Sequence, residues 1–182
     1  MKKRLMLFPL LSLTLLILSA CVSDSKLAEL EQFEPVPTLS PAEVVTIQLQ
    51  ALRSNDESDK GIEIAFRFAS PRNRRFTGPV SKFASLFESE TFSPMLDPAD
   101  TEFLRPRKSA TVVIQPVRLI ARAGRVLIYL FLLSKQNQDP YRDCWMVEGV
   151  QPFLQPEDQN EGDTPSIPEL EGIEVPQATF SA

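Results

Sequence analysis

Val126-Leu127-Ile128-Tyr129-Leu130-Phe131-Leu132-Leu133 is an unbroken apolar run in the second half of the chain. Eight consecutive apolar or aromatic residues between Arg125 and Ser134 read as a strand covered on both faces. Alternation along it puts Val126, Ile128, Leu130 and Leu132 on one face, and Leu127, Tyr129, Phe131 and Leu133 on the other. On its N-terminal side, Thr111 to Ile120 is β-branched and mostly apolar, so it reads as a strand whose Pro116 marks an edge position or a bulge. Ala123-Gly124 fits a two-residue hairpin loop between the two strands. Cys144 to Val150 reads as a further strand after the turn-rich Gln136 to Arg142, and a fourth falls near Glu102 to Arg105.

Before this extended half the pattern is helical. Ser40-Pro41-Ala42-Glu43 combines an N-cap, a proline at the first helical position and a Glu three residues after the cap. The helix it opens buries Val45, Leu49 and Leu52 and ends near Arg53. Ile62, Ala65, Phe66 and Ala69 recur at helical spacing, so a second helix is expected over 61–69, stopped by Ser70-Pro71. An Arg-rich loop over 71–76 comes next. A third helix opens at Thr77-Gly78-Pro79 with Val80, Phe83 and Phe87 inside. Three helices followed by three or four antiparallel strands give an α+β domain whose helices cover one face of a curved sheet.

Several segments carry a resemblance beyond this order of elements. Pro41-Ala42-Glu43-Val44-Val45, Gln48-Leu49-Gln50-Ala51-Leu52, Asn55-Asp56, Gly61-Ile62, Phe66-Arg67-Phe68-Ala69-Ser70-Pro71, Asn73-Arg74, Thr77-Gly78-Pro79 with Phe83, and Trp145-Met146-Val147-Glu148-Gly149-Val150 resemble the bacterial and plant family called domain of unknown function 4864. The likeness runs from about 41 to 153, and its most specific block is Phe68 to Phe83. It implies a nuclear-transport-factor-2-like cone, with a pocket between helices and concave sheet. It brings no activity with it, because folds of this kind host enzymes, ligand binders and interaction modules.

Outside the domain the N-terminus is the most telling segment. Lys2-Lys3-Arg4, a Leu-rich run to Leu18, and Leu18-Ser19-Ala20-Cys21 have the order of an export signal and resemble the bacterial lipobox. The competing reading, a transmembrane helix, is disfavoured because the apolar run is short and ends in small residues followed by polar chain. The expected organisation is a signal peptide over 1–20, lipidated Cys21 and a flexible tether over 21–40 in which a short helix can form around Lys26 to Phe33, the α+β domain over 41–153, and an acidic disordered tail over 154–182. Several acyl chains on Cys21 anchor a soluble domain to a membrane. Val22 stands where an Asp would favour inner-membrane retention, so the periplasmic face of the outer membrane is expected, with the inner membrane as the alternative.

Charge and composition exclude several chemistries. The net charge of −5 resides in the tail, where seven acids from Glu157 to Glu174 meet no Lys or Arg. The domain is nearly neutral, which argues against a nucleic-acid partner. Arg72, Arg74, Arg75 and Lys82, with Arg105, Arg107 and Lys108, read first as a solvated rim and second as an anion or phospholipid-headgroup contact. The chain has no histidine, which removes Ser-His-Asp and Cys-His catalysis and His-based zinc sites. Once Cys21 is acylated, Cys144 stands alone, unable to form an intramolecular disulfide, and reads as a small core hydrophobe. Asn55, Asp56, Glu57 and Asp59 lack EF-hand spacing and read as a helix-linking turn, so neither metal nor cofactor is expected.

The residues able to reach a cone pocket are Arg67, Asn73, Tyr129 and Glu148, each with a structural reading beside the functional one. Arg67 and Asn73 bridge or cap helices, Tyr129 packs with its hydroxyl at the sheet margin, and Glu148 faces solvent on its strand. The leading functional expectation is a non-enzymatic envelope lipoprotein binding a partner protein or small ligand. A homodimer or an envelope partner would dock on the apolar strand through Tyr129 and Phe131. The alternative is a small-molecule enzyme using carboxylate acid/base chemistry at Glu148.

Overall fold

A computed structural model of the chain describes residues 25–153. Helical residues 25–30 (α1) precede α2 (Pro41–Arg53), α3 (Lys60–Arg67), α4 (Pro71–Thr77) and α5 (Val80–Ala84). Short 3₁₀ turns at Ser85–Glu88 and Ser93–Met95 lead to the strands β1 (Pro98–Phe103), β2 (Arg107–Lys108), β3 (Val112–Ala121), β4 (Val126–Lys135) and β5 (Trp145–Phe153). The five form one curved antiparallel sheet in the order β1-β3-β4-β5, with β2 paired to the same edge of β3 as β1. The α+β layout expected from the sequence is therefore present, with five strands. Among the described residues no helix is long and apolar enough to cross a membrane.

The start of α2 is the one its sequence specifies. Ser40 Oγ accepts from the Glu43 amide, while the Glu43 carboxylate accepts from the Ser40 amide at 2.8 Å, so the free amides of the first turn are satisfied reciprocally. Those hydrogen bonds from Ser40 hold the Glu43 carboxyl below its ordinary range. Val44, Val45, Leu49, Ala51 and Leu52 of this helix are buried. Gly61 lets α3 lie close beside it, since a Cβ there would stand 2.1 Å from the Ala51 carbonyl oxygen. Asn55 to Asp59 form the turn between the two helices. The Asp56 carboxylate accepts from the Ser58 hydroxyl and from the Ser58 and Lys60 amides, and these bonds, the hydroxyl's first, hold its carboxyl low.

Several expectations are corrected. Residues 25–39, expected within a flexible tether, are packed on the domain: Leu27 and Leu30 join the main core, and Leu30 is only 1% exposed. Their partner is α3, whose Arg67 donates to the carbonyls of Glu31 and Phe33, pairs with Glu34, and so clasps the incoming chain. The second helix ends at Arg67, capped by Phe68 in helical geometry, and Ala69 is then bridged in parallel to Val147 on the outer edge of β5. The expected Arg-rich loop is α4. Ser70-Pro71 starts this helix where a stop was expected, because Ser70 Oγ accepts from the Asn73 amide and Pro71 fills the first helical position. The hairpin loop is longer than expected, Arg122 to Arg125, with Gly124 donating to the Ala121 carbonyl and standing at φ +81°. Only glycine enters that left-handed region freely.

Pro116 lies within β3, between β4 and the β1–β2 edge. Its missing N–H faces that edge at the point where β1 and β2 are interrupted. The Leu104 amide donates to the Pro116 carbonyl at 3.0 Å, and the reciprocal bond needs a donor that proline lacks. Buried Gln115 supplies it: its Nε2 donates to the Leu104 carbonyl at 2.8 Å and to the Pro116 carbonyl at 2.9 Å.

Candidate functional site

An open cleft of about 470 Å³ lies where the corner between β1 and β2 stands off from the start of α2. Pro41, Ala42 and Thr46 form the helix wall, and Phe103, Leu104, Pro106 and Val113 form the sheet wall. Arg105 and Lys108 also line it, and among the described residues neither has a carboxylate within ion-pair distance. Ser40 and Gln115 lie at the cleft too, but the first closes the α2 capping box and the second replaces the Pro116 donor. The chemistry left to a visitor is therefore apolar contact plus two cations. That combination suits an anionic group carried on an apolar body.

The residues named from sequence lie elsewhere, in two separate places. Tyr129 and Phe131 are 0% and 2% exposed in the main core beneath the helices, with Phe68, Ile64 and Leu133. As surface anchors for a partner they are therefore corrected: the alternation of β4 points this set toward its own helices. The Tyr129 hydroxyl donates to the Thr91 carbonyl at 2.6 Å, and its ring stacks on Phe92. Burial pushes its phenol up to about 12. These side chains fill the space in which a cone pocket was expected.

Asn73 and Glu148 meet at the junction of α4 and β5, whereas the Arg67 side chain turns to the incoming segment. Asn73 is buried and donates from Nδ2 to the Val147 carbonyl. Glu148 is the extra residue of a bulge, since Leu132 pairs with Gly149 and Leu133 with Val147. The bulge redirects its side chain, and the carboxylate accepts from Ser70 Oγ at 2.8 Å, Ser134 Oγ at 2.5 Å and Gln136 Nε2 at 3.1 Å. Arg74 completes the junction, donating to the carbonyls of Ala69 and Arg67 and to the Tyr141 hydroxyl. Arg67 itself is occupied by the 31–34 clasp. Each of these residues thus holds a structural bond, and Glu148 has its oxygens engaged by three neutral donors.

Cys144 is buried before β5, its thiol 3.4 Å from the Pro35 carbonyl oxygen. Burial, with Asp143 beside it, pushes the thiol up, so it is a poor nucleophile. Among the described residues no group of three acidic or cysteine side chains converges as a metal site would require. Cys21 and the acidic tail lie outside the described residues. Sequence reading missed the cleft because its walls come from 40–46, 103–108 and 113–115. The one signal available was the cluster Arg105, Arg107 and Lys108.

A family profile described as "Domain of unknown function (DUF4864)" matches residues 39–160. No curated protein and no solved structure matches the chain.

Proposed function

Because this chain belongs to the DUF4864 family, whose description names no activity, we propose a function from its own geometry: a lipid-anchored envelope protein that binds an anionic, partly apolar small ligand. The observation that carries this reading is the cleft, in which apolar walls meet the cations of Arg105 and Lys108. Anchoring rests on Leu18-Ser19-Ala20-Cys21, and the body hangs from Cys21 on the periplasmic face of the outer membrane. The helices-over-sheet layout fits a nuclear-transport-factor-2-like cone whose interior has been filled by Phe68, Tyr129 and Phe131, which moves ligand binding to the cleft at the sheet edge. Enzymatic carboxylate chemistry at Glu148 has less support, since its oxygens serve Ser70, Ser134 and Gln136.

The test is titration of the mature chain with oleate or dodecyl phosphate. Arg105→Glu with Lys108→Glu should weaken binding about tenfold, since each reversal replaces an attraction by a repulsion worth roughly 0.5–1 kcal/mol at an open site. Equal affinity in both proteins rejects the cleft as the site. Cys21→Ser should abolish the acyl mass on the mature chain and release it from membranes. Retention of the variant after signal cleavage rejects the lipid anchor.

A further inference from the structure

We propose that the surface carried by α4 and α5 rests on the anionic bilayer to which the lipid anchor leads. This rests on the reading of Cys21 as lipidated. From Ile64 to Phe87 the chain carries Arg67, Arg72, Arg74, Arg75 and Lys82 and no acid. Arg67 and Arg74 are consumed inside the fold. Arg72, Arg75 and Lys82 are exposed, and none has a carboxylate within ion-pair distance among the described residues. Beside them stands Phe76, 75% exposed, with the Arg72 guanidinium carbon 5.9 Å from its ring centre. Nothing in the fold requires a phenylalanine in water there. Cations around an exposed aromatic ring match the headgroup zone of an anionic membrane, where phosphates take the charges and the ring enters the acyl boundary.

The path of the chain places this surface near the anchor. The last turn of α3 is shared: the Arg67 side chain holds the carbonyls of Glu31 and Phe33, while Arg74 of α4 donates to the Arg67 carbonyl. The incoming segment and α4 are therefore fastened at one end of the domain. Six residues separate Ser25 from Glu31, about 9 Å at helical rise. Cys21 is four residues further out, at most about 14 Å. A lipid at Cys21 keeps that end of the body close to the headgroups. The ligand cleft lies at the other side of the sheet, since α4 packs beside β5 while the cleft is built on the β1–β2 edge. Three strand spacings of about 4.8 Å stand between those edges, so docking through α4 leaves the cleft open to the periplasm.

The competing occupant is the chain's own tail, whose seven acids would also pair with these cations. The experiment uses full-length lipidated protein in vesicles of phosphatidylcholine and phosphatidylglycerol with brominated acyl chains. Tryptophan is placed by Phe76→Trp or, at an exposed residue of β4, by Val126→Trp, and each is read against the wild type with its native Trp145. Bromine should quench the Phe76→Trp signal at least about threefold more than the Val126→Trp signal. Arg72→Glu with Arg75→Glu should remove that difference while the acyl mass on Cys21 is unchanged. Equal quenching at both positions, with the acyl mass present, overturns the proposal. So does protection of the Phe76→Trp indole from aqueous acrylamide without vesicles that is relieved by deleting 154–182, which makes the tail the occupant. Absence of the acyl mass overturns the anchor reading, and this proposal with it, and mass spectrometry tells that failure from the others.

Discussion

Gln115→Ala is the sharpest test of how the sheet tolerates a proline inside β3. The change removes the Nε2 donor that reaches the Leu104 carbonyl at 2.8 Å and leaves that oxygen facing a proline nitrogen. An unsatisfied buried carbonyl costs about 1–3 kcal/mol. Leu104 is half-buried and borders the open cleft, so water reaches part of the site and the lower half of that range applies. Loss of the buried side-chain methylene adds about 0.8 kcal/mol, for a total of about 2–3 kcal/mol. The diagnostic step is Pro116→Ala, which restores a backbone N–H opposite the same carbonyl. In that background Gln115→Ala should cost at least about 1 kcal/mol less, a coupling measured by a double-mutant cycle from urea unfolding midpoints. Strict additivity refutes the argument that Gln115 substitutes for the missing donor.

Three further outcomes are expected. Leu30→Ala should lower stability by about 2–4 kcal/mol in urea unfolding, because Leu30 is part of the main core; an unchanged midpoint would return 25–39 to the status of a tether. Tyr129 has its phenol pushed up to about 12 from an ordinary 10.0, so the unfolded chain ionises first: its contribution is whole below pH about 10 and is lost as pH climbs toward about 12. Tyr129→Phe should flatten that alkaline fall in the unfolding midpoint, and equal slopes in both proteins would reject it. Cys144, buried with a raised pKa, should resist iodoacetamide in the folded mature chain and react once urea unfolds it; rapid native alkylation would show that the site opens.

Short-range physics decides the features that are legible in the sequence. Ser40-Pro41-Ala42-Glu43 announces a helix start because every partner lies within four residues, and the capping box is present atom for atom. The alternation of β4 is readable for the same reason. Ser70-Pro71 shows the limit: a proline can end the helix before it or open the helix after it, and the same dipeptide serves at Ser40-Pro41 and at Ser70-Pro71 as N-cap and first helical residue. The second case is decided by the junction with β5, where Asn73 holds the Val147 carbonyl and Glu148 accepts from Ser70. Pro116 in an interior strand, the docking of Leu27 and Leu30, and the cleft each depend on groups far away in sequence. None is a local pattern.

The same distinction bears on the cover of the outer face of β4. Alternation requires Ile128 and Leu130 to find cover away from the helices, and a second copy of the chain is one supplier the sequence allows. In the folded chain Ile114, Ile128 and Leu130 are between 2% and 9% exposed without one, packed with half-buried Leu104, Leu132 and Phe153. Leu104 comes directly after β1 and Phe153 ends β5, so the two margins of a curved sheet contribute to screening its middle. Ile128 and Leu130 are therefore covered by the chain's own packing, while Val126 at the start of β4 stays exposed. Among the described residues the large apolar side chain with the greatest exposure is Phe76, at 75%, which stands among cations without a carboxylate partner and not on the sheet.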